Sequence, residues 1–237
     1  MTEERLKGIV ISAKDFKEAD KLLTLFTLEK GIVYAKLVGV KKPNAKLKPA
    51  KEIFCFADFD VVSKGEFQTI TSANVIETFH NITSDIDKYF AGCAVLEILK
   101  TVGRENLSNE PLFLETLKTL QALAYGNVKP EVLEMRFLIK IFEAMGYRLS
   151  LDRCASCGEP FLQKRFFSPV DGAIVCSGCK PPNCEEISAL THSTMRLAAD
   201  CPFEKLETLK LSDEGTGLAL KLLKENFEAR FDKKLSN

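Results

Sequence analysis

Four cysteines constrain this chain more than any other residues. Cys154, Cys157, Cys176 and Cys179 form two C-x2-C pairs separated by 18 residues. Each C-x2-C is a tight turn that aims two sulfurs at one point, and two such turns supply the four thiolates of a closed tetrahedral Zn2+ site. Turn formers accompany both pairs, Gly158 after the first and Ser177-Gly178 within the second. Four thiolates leave no coordination position for water or substrate, so the expected role of one bound Zn2+ is structural: it fixes a ribbon too small to bury a core of its own. Two substitutes remain open as ligands. Cys184 lies five positions past Cys179, and His192 follows the ribbon. A disulfide framework does not suit a chain of 237 residues with no visible secretory segment.

Several chemistries fall away on the same residues. Zinc deaminases pair P-C-x-x-C with an upstream H-x-E, but the only histidines, His80 and His192, are followed two residues later by Ile82 and Thr194. No Walker A loop, G-x-S-x-G or H-E-x-x-H occurs. A zinc-dependent hydrolase is therefore disfavoured, and no catalytic residue is assigned. The start of the chain, Met1-Thr2-Glu3-Glu4-Arg5, is charged and lacks an apolar signal core. No apolar run is long enough to span a membrane. With Cys55, Cys93, Cys184 and Cys201 outside the metal pattern, a reducing, cytoplasmic setting is expected.

Charge is informative only in its distribution. The 33 basic and 33 acidic residues cancel, yet Lys30 to Lys51 holds seven lysines and no acid. Such a segment suits contact with phosphates. It also suits a solvated loop that resists aggregation, and the composition alone does not separate the two.

The first 80 residues read as β-structure. Leu6 to Ile11 is a short strand, and Lys21 to Leu28 and Ile32 to Val38 form a hairpin about Glu29-Lys30-Gly31. Phe54 to Val62 is a strand with Cys55, Ala57, Phe59 and Val61 on one face, and Phe67 to Ile70 follows the turn at Ser63–Glu66. Five short strands with a basic loop at 39–51 suggest an OB-fold barrel. Helical spacing takes over near residue 83. Ser84 is the expected cap of a helix carrying Ile86, Tyr89, Phe90, Cys93, Leu96 and Leu99. Further helices run from Asn109-Glu110-Pro111 to Tyr125, from Pro130 to Gly146, from Ile187 to Ala199 and from Ser212 to Phe231. The fold class is thus α+β: an N-terminal OB-fold barrel over 1–80, then an all-helical domain over 81–237 carrying a zinc ribbon at about 148–182. Phe26, Tyr34 and Phe54 are candidates for stacking on bases, with core burial the competing reading.

Together these parts resemble the bacterial RecO family. The resemblance covers nearly the whole chain. It rests on Glu18-Ala19-Asp20-Lys21-Leu22-Leu23-Thr24-Leu25-Phe26-Thr27, on Gly39-Val40-Lys41-Lys42-Pro43, and on Leu151-Asp152-Arg153-Cys154-Ala155-Ser156-Cys157-Gly158 with Phe167-Ser168-Pro169 and Gly172 before Cys176. It implies a non-enzymatic recombination and DNA-repair mediator, cytoplasmic and associated with the nucleoid. Such a protein binds single- and double-stranded DNA and anneals complementary strands. With RecR, and in many bacteria RecF, it loads RecA onto DNA coated by single-stranded DNA-binding protein, whose acidic C-terminal tail it also contacts. By position, Lys36, Lys41 and Lys42 match the family's basic residues, and Lys46 and Lys48 extend the same loop. Where family members often carry Ser-Arg this chain has Ala45-Lys46, which keeps the charge but gives up bidentate phosphate contact. The alternative reading is an RNA-binding or translation-associated OB/zinc-ribbon module, since fold does not decide function.

Overall fold

The computed structural model describes residues 3–45, 47–64, 67–147, 149–161 and 164–235. Packing divides the chain into two compact units, Met1–Leu120 and Gln121–Asn237.

The first unit is built on a closed barrel. Its strands are β1 (Glu3–Phe16), β2 (Asp20–Thr27), β3 (Gly31–Leu37), β4 (Phe56–Lys64) and β5 (Phe67–Glu77), in the order β1-β2-β3-β5-β4. All pairings are antiparallel except β3 with β5, and β1 closes the ring on β4. This is the connectivity of an OB-type barrel. Cys55, Ala57, Phe59 and Val61 do share one face, and they fill the interior with Leu23, Leu25, Val33, Ala35 and Leu37. Interior positions on β1 begin with Leu6 and Val10. A bulge between Val10 and Ser12 inserts one residue, and the alternation then restarts with Ala13 inside. Ser12, Lys14 and Phe16 are thereby turned to the outer face.

Part of that outer face is buried under helices of the same unit. These are α1 (His80–Thr83), α2 (Ile86–Val102) and the first turns of α3 (Glu110–Tyr125). Phe26 and Phe56 meet Phe113 at ring separations of 5.7 and 6.2 Å. Phe54 lies outside β4 in a left-handed conformation (φ 72°) and seats its ring against α2 at Gly92, where an added Cβ would stand 2.9 Å from it. Burying one such ring stabilises the fold by about 2–3 kcal/mol. The change from strand to helix comes near residue 80, but α1 and α2 pack with the barrel.

The second unit holds α4 (Pro130–Ala144), α5 (Ala189–Asp200), α6 (Phe203–Leu206) and α7 (Asp213–Phe231), with α4 and α5 both packed on α7. A three-stranded sheet, β6 (Arg165–Ser168), β7 (Ala173–Cys176) and β8 (Glu185–Ile187), runs in the order β7-β6-β8. Two local expectations are corrected. The α2 cap is Asp85, whose carboxylate accepts from Asp87 N and Lys88 N at 3.0 Å each, while Ser84 ends α1. Ile187 belongs to β8 opposite Arg165, so α5 begins after its cap Ser188, whose hydroxyl accepts from Thr191 N at 3.0 Å.

Candidate metal centre and nucleic-acid interface

The cysteine pairs sit on two knuckles that the ribbon brings together. In the first, Gly158 N donates to the Cys154 carbonyl and Cys154 N to the Glu159 carbonyl, both at 2.9 Å. Gly158 takes φ +75°, which favours glycine. In the second, at the end of β7, Cys179 N donates to the Cys176 carbonyl at 3.1 Å. The knuckles are joined by Ala155 N to the Ile174 carbonyl at 3.0 Å and by Cys176 N to Cys154 Sγ at 3.4 Å.

All four Sγ atoms lie within 4.8 Å of one another. The Cys157–Cys176 separation is 3.9 Å, far beyond a disulfide of about 2.05 Å. It is close to the edge of about 3.8 Å that a tetrahedron with metal–sulfur bonds near 2.3 Å requires. The donor set therefore fits a closed, thiolate-rich metal site. Cys154 is buried, and burial opposes its ionisation. N–H groups of Cys157, Cys176 and Ser156 outweigh that and bring the thiol down to about 6. At Cys157, hydrogen bonding from Glu159 favours the thiolate, but the neighbouring sulfurs, Cys154 foremost, push it up to about 12. One negative charge is accommodated and the next is resisted, a balance that a divalent cation among the sulfurs reverses.

Both substitute ligands are placed elsewhere. Cys184 packs beside Cys154, Phe166 and Val175 but is not part of the four-sulfur set among the described residues. His192 Nε2 meets the Leu151 carbonyl at 2.5 Å, and its ring stands edge-on to Phe161 at 5.1 Å. Burial holds this imidazole below its ordinary range, against the pull of the Leu151 carbonyl. The far end of the ribbon is seated on α7. Asn226 donates to the Pro169 carbonyl and Arg230 to the Asp171 carbonyl. Gly172 (φ +62°) leaves no room for a Cβ, which would stand 2.7 Å from the Asn226 amide.

The lysines proposed to meet phosphate gather around the β1–β2 and β3–β4 connections. Lys36 is on the outer face of β3, Lys41 and Lys42 are exposed in the turn after it, and Lys48 precedes a short 3-10 turn at Pro49–Lys51. Lys46 lies outside the described residues. The loop is tied to the barrel by Gly39 N on Asp20 at 2.8 Å and Lys41 N on the Ala19 carbonyl at 3.0 Å. The sevenfold charge of Lys30–Lys51 is partly answered by acids distant in sequence. Lys41 pairs with Asp15 at 3.0 Å and Lys30 pairs with Glu4, while Lys51 meets the adjacent Glu52 at 3.5 Å. Hydrogen bonds from Lys41 and then Lys21 hold the Asp15 carboxyl below the usual carboxylate range.

Of the three stacking candidates, Phe26 and Phe54 are core residues, and Tyr34 is 42% exposed. One aromatic escaped the sequence reading. Phe16 lies half-buried with Lys36 Nζ at 5.3 Å and Lys17 Nζ at 5.6 Å from its ring centre, both within cation–π range. Its position at the end of a long strand gave no local signal, because the bulge at Ile11 sets which face it occupies.

Residues 83–237 match the family described as Recombination protein O C terminal, and residues 1–79 match Recombination protein O N terminal. The chain belongs to the RecO family. Relatives of the same family span almost the whole chain. A DNA repair protein RecO of Desulforamulus reducens is 28% identical over 234 residues, covering 98% of this chain and 91% of that protein. One of Symbiobacterium thermophilum is 25% identical over 235 residues, covering 97% and 93%. One of Caldicellulosiruptor saccharolyticus is 28% identical over 208 residues, covering 88% and 85%. Among the described residues no helix is long and apolar enough to cross a membrane.

Proposed function

We propose that this RecO-family chain is a non-enzymatic mediator of recombinational DNA repair. It binds single- and double-stranded DNA, anneals complementary strands and acts with RecR to load RecA onto DNA coated by single-stranded DNA-binding protein. The observation that carries this reading is the match of both segments of the chain to one family, supported by a barrel that gathers lysines at one end. In this reading residues 1–80 provide the DNA-binding barrel and 81–237 the helical part with its ribbon. RecR, the acidic tail of the coating protein and, where present, RecF are its protein partners, and it works in the cytoplasm at the nucleoid. The four cysteines hold one Zn2+, which supplies folding energy to the ribbon and no chemistry.

The barrel residues act electrostatically. Lys36, Lys41, Lys42, Lys46 and Lys48 neutralise phosphates and do not read bases. Holding two backbones at one basic surface lowers their repulsion, so that base pairing nucleates. Affinity then falls linearly with log salt as counterions are released. Lys41 already faces Asp15, so Lys42 carries the larger share of the pair.

The test is equilibrium binding of a labelled oligonucleotide across a salt series, with wild type and the double variant Lys41→Glu/Lys42→Glu. Removing two phosphate contacts is expected to lower the single-strand salt slope by about 1.4, at roughly 0.7 per contact. All sequences should weaken alike. An unchanged slope and affinity would remove this loop from the mechanism.

A further inference from the structure

The outer face of the barrel carries a second feature, built on the strands and not on the lysine loop. Ser12, Thr24 and Tyr34 are cross-strand partners in one row over β1, β2 and β3, and Lys14, Leu22 and Lys36 form the next row. At the Tyr34 end, this face meets the C-terminal end of α2 and the segment after it, enclosing a cleft of about 500 Å³. Lys14, Lys100 and Arg104 line it with Tyr34, Thr24 and Glu105. Lys14, Lys100 and Arg104 are all exposed residues.

Two glycines fix this wall. Gly31 takes φ +64°, and a Cβ there would stand 2.5 Å from the Arg104 carbonyl and 2.3 Å from that of Leu107. Ile32 N donates to the same Arg104 carbonyl at 3.0 Å. At Gly103 a Cβ would meet Ile32 at 2.7 Å. The backbone that carries Arg104 is thus held against β3, so this wall of the cleft keeps its shape before any ligand arrives, which cuts the ordering cost of binding.

We propose that this cleft holds one unpaired nucleotide of single-stranded DNA, with its base stacked on Tyr34 and its flanking phosphates between Lys14, Lys100 and Arg104. The proposal rests on the DNA-binding reading above and extends it to a site that discriminates strand type. The cleft has the volume of a small-molecule site, and an unpaired strand can turn a base out to an aromatic face without the unpairing cost that a duplex pays. From Tyr34 the same face continues to Lys36 and to Phe16 with Lys17. Aromatic rings and cations therefore alternate along one surface, the composition of a single-strand track.

The chain has four tyrosines and no tryptophan, so tyrosine emission can report directly on stacking. Labelled oligo(dT) is titrated into wild type, Tyr34→Ala, Tyr34→Phe and Arg104→Glu, with a labelled duplex of equal length in parallel; anisotropy of the label gives affinity and tyrosine emission gives stacking. Wild-type emission should be quenched by oligo(dT). Tyr34→Ala should bind oligo(dT) roughly five- to 150-fold more weakly, the range of one lost stacking contact, with a smaller loss for duplex. Tyr34→Phe should lose most of the quench but much less affinity than Tyr34→Ala, and Arg104→Glu should weaken oligo(dT) binding with the aromatic intact. Wild-type affinity in Tyr34→Ala, or equal losses for single and double strands, would overturn the site while leaving the wider DNA-binding reading in place. A wild-type protein that binds neither form would overturn both.

Discussion

Arg136 shows how one side chain can hold a helix end inside the second unit. Its Nη1 donates to the carbonyls of Ala198, Ala199 and Cys201 at 2.7, 3.2 and 3.0 Å, the acceptors left over where α5 stops. The guanidinium also lies 4.4 Å from the ring centre of Phe203. Arg136→Met keeps the stem and leaves buried carbonyls without a donor. A loss of about 2–4 kcal/mol is expected, read as a lower midpoint in urea with an unchanged slope. A midpoint equal to wild type would mean that water replaces the guanidinium. Nothing local in the sequence pointed to this role, because the acceptors lie more than sixty positions away. The cysteine pairs were legible because C-x2-C fixes its own geometry. The positions of Cys184 and His192 were not, since ribbon pairing and the Leu151 carbonyl decide them.

Among the elements, those defined by short-range pattern were readable. The interior face of β4 follows from alternation, and α3, α4 and α7 start where Asn109, Pro130 and Ser212 place them. Features set by distant pairing were not. β8 exists because Glu185–Ile187 adds to β6, and three residues alone look like the approach to a helix. The ribbon is also where metal should matter most. It buries Cys154, Phe166 and Val175 as its small cluster, too little to hold the knuckles without a cross-link. Cys154→Ser is expected to lower bound zinc and the thermal midpoint together, measured by elemental analysis and calorimetry on the same sample. A variant that stays metal-free, equally stable and equally active would show that the ribbon stands on packing alone.

For the whole molecule, a net charge of zero conceals a division of labour. Acids meet lysines across the barrel, as Asp15 does for Lys21 and Lys41, and Phe16, Tyr34 and their cations share the outer face with Lys36. Totals could not show this, since the face is assembled from three strands and a helix end. The central claim is that this surface brings complementary strands together without catalysis. Two complementary oligonucleotides, each coated with single-stranded DNA-binding protein, test it when mixed with the zinc-loaded protein at low and moderate salt, without nucleotide. The expected result is faster annealing that fades as salt rises and is weakened by Lys41→Glu/Lys42→Glu. Folded, zinc-loaded protein that leaves the annealing rate unchanged at both salts would contradict it.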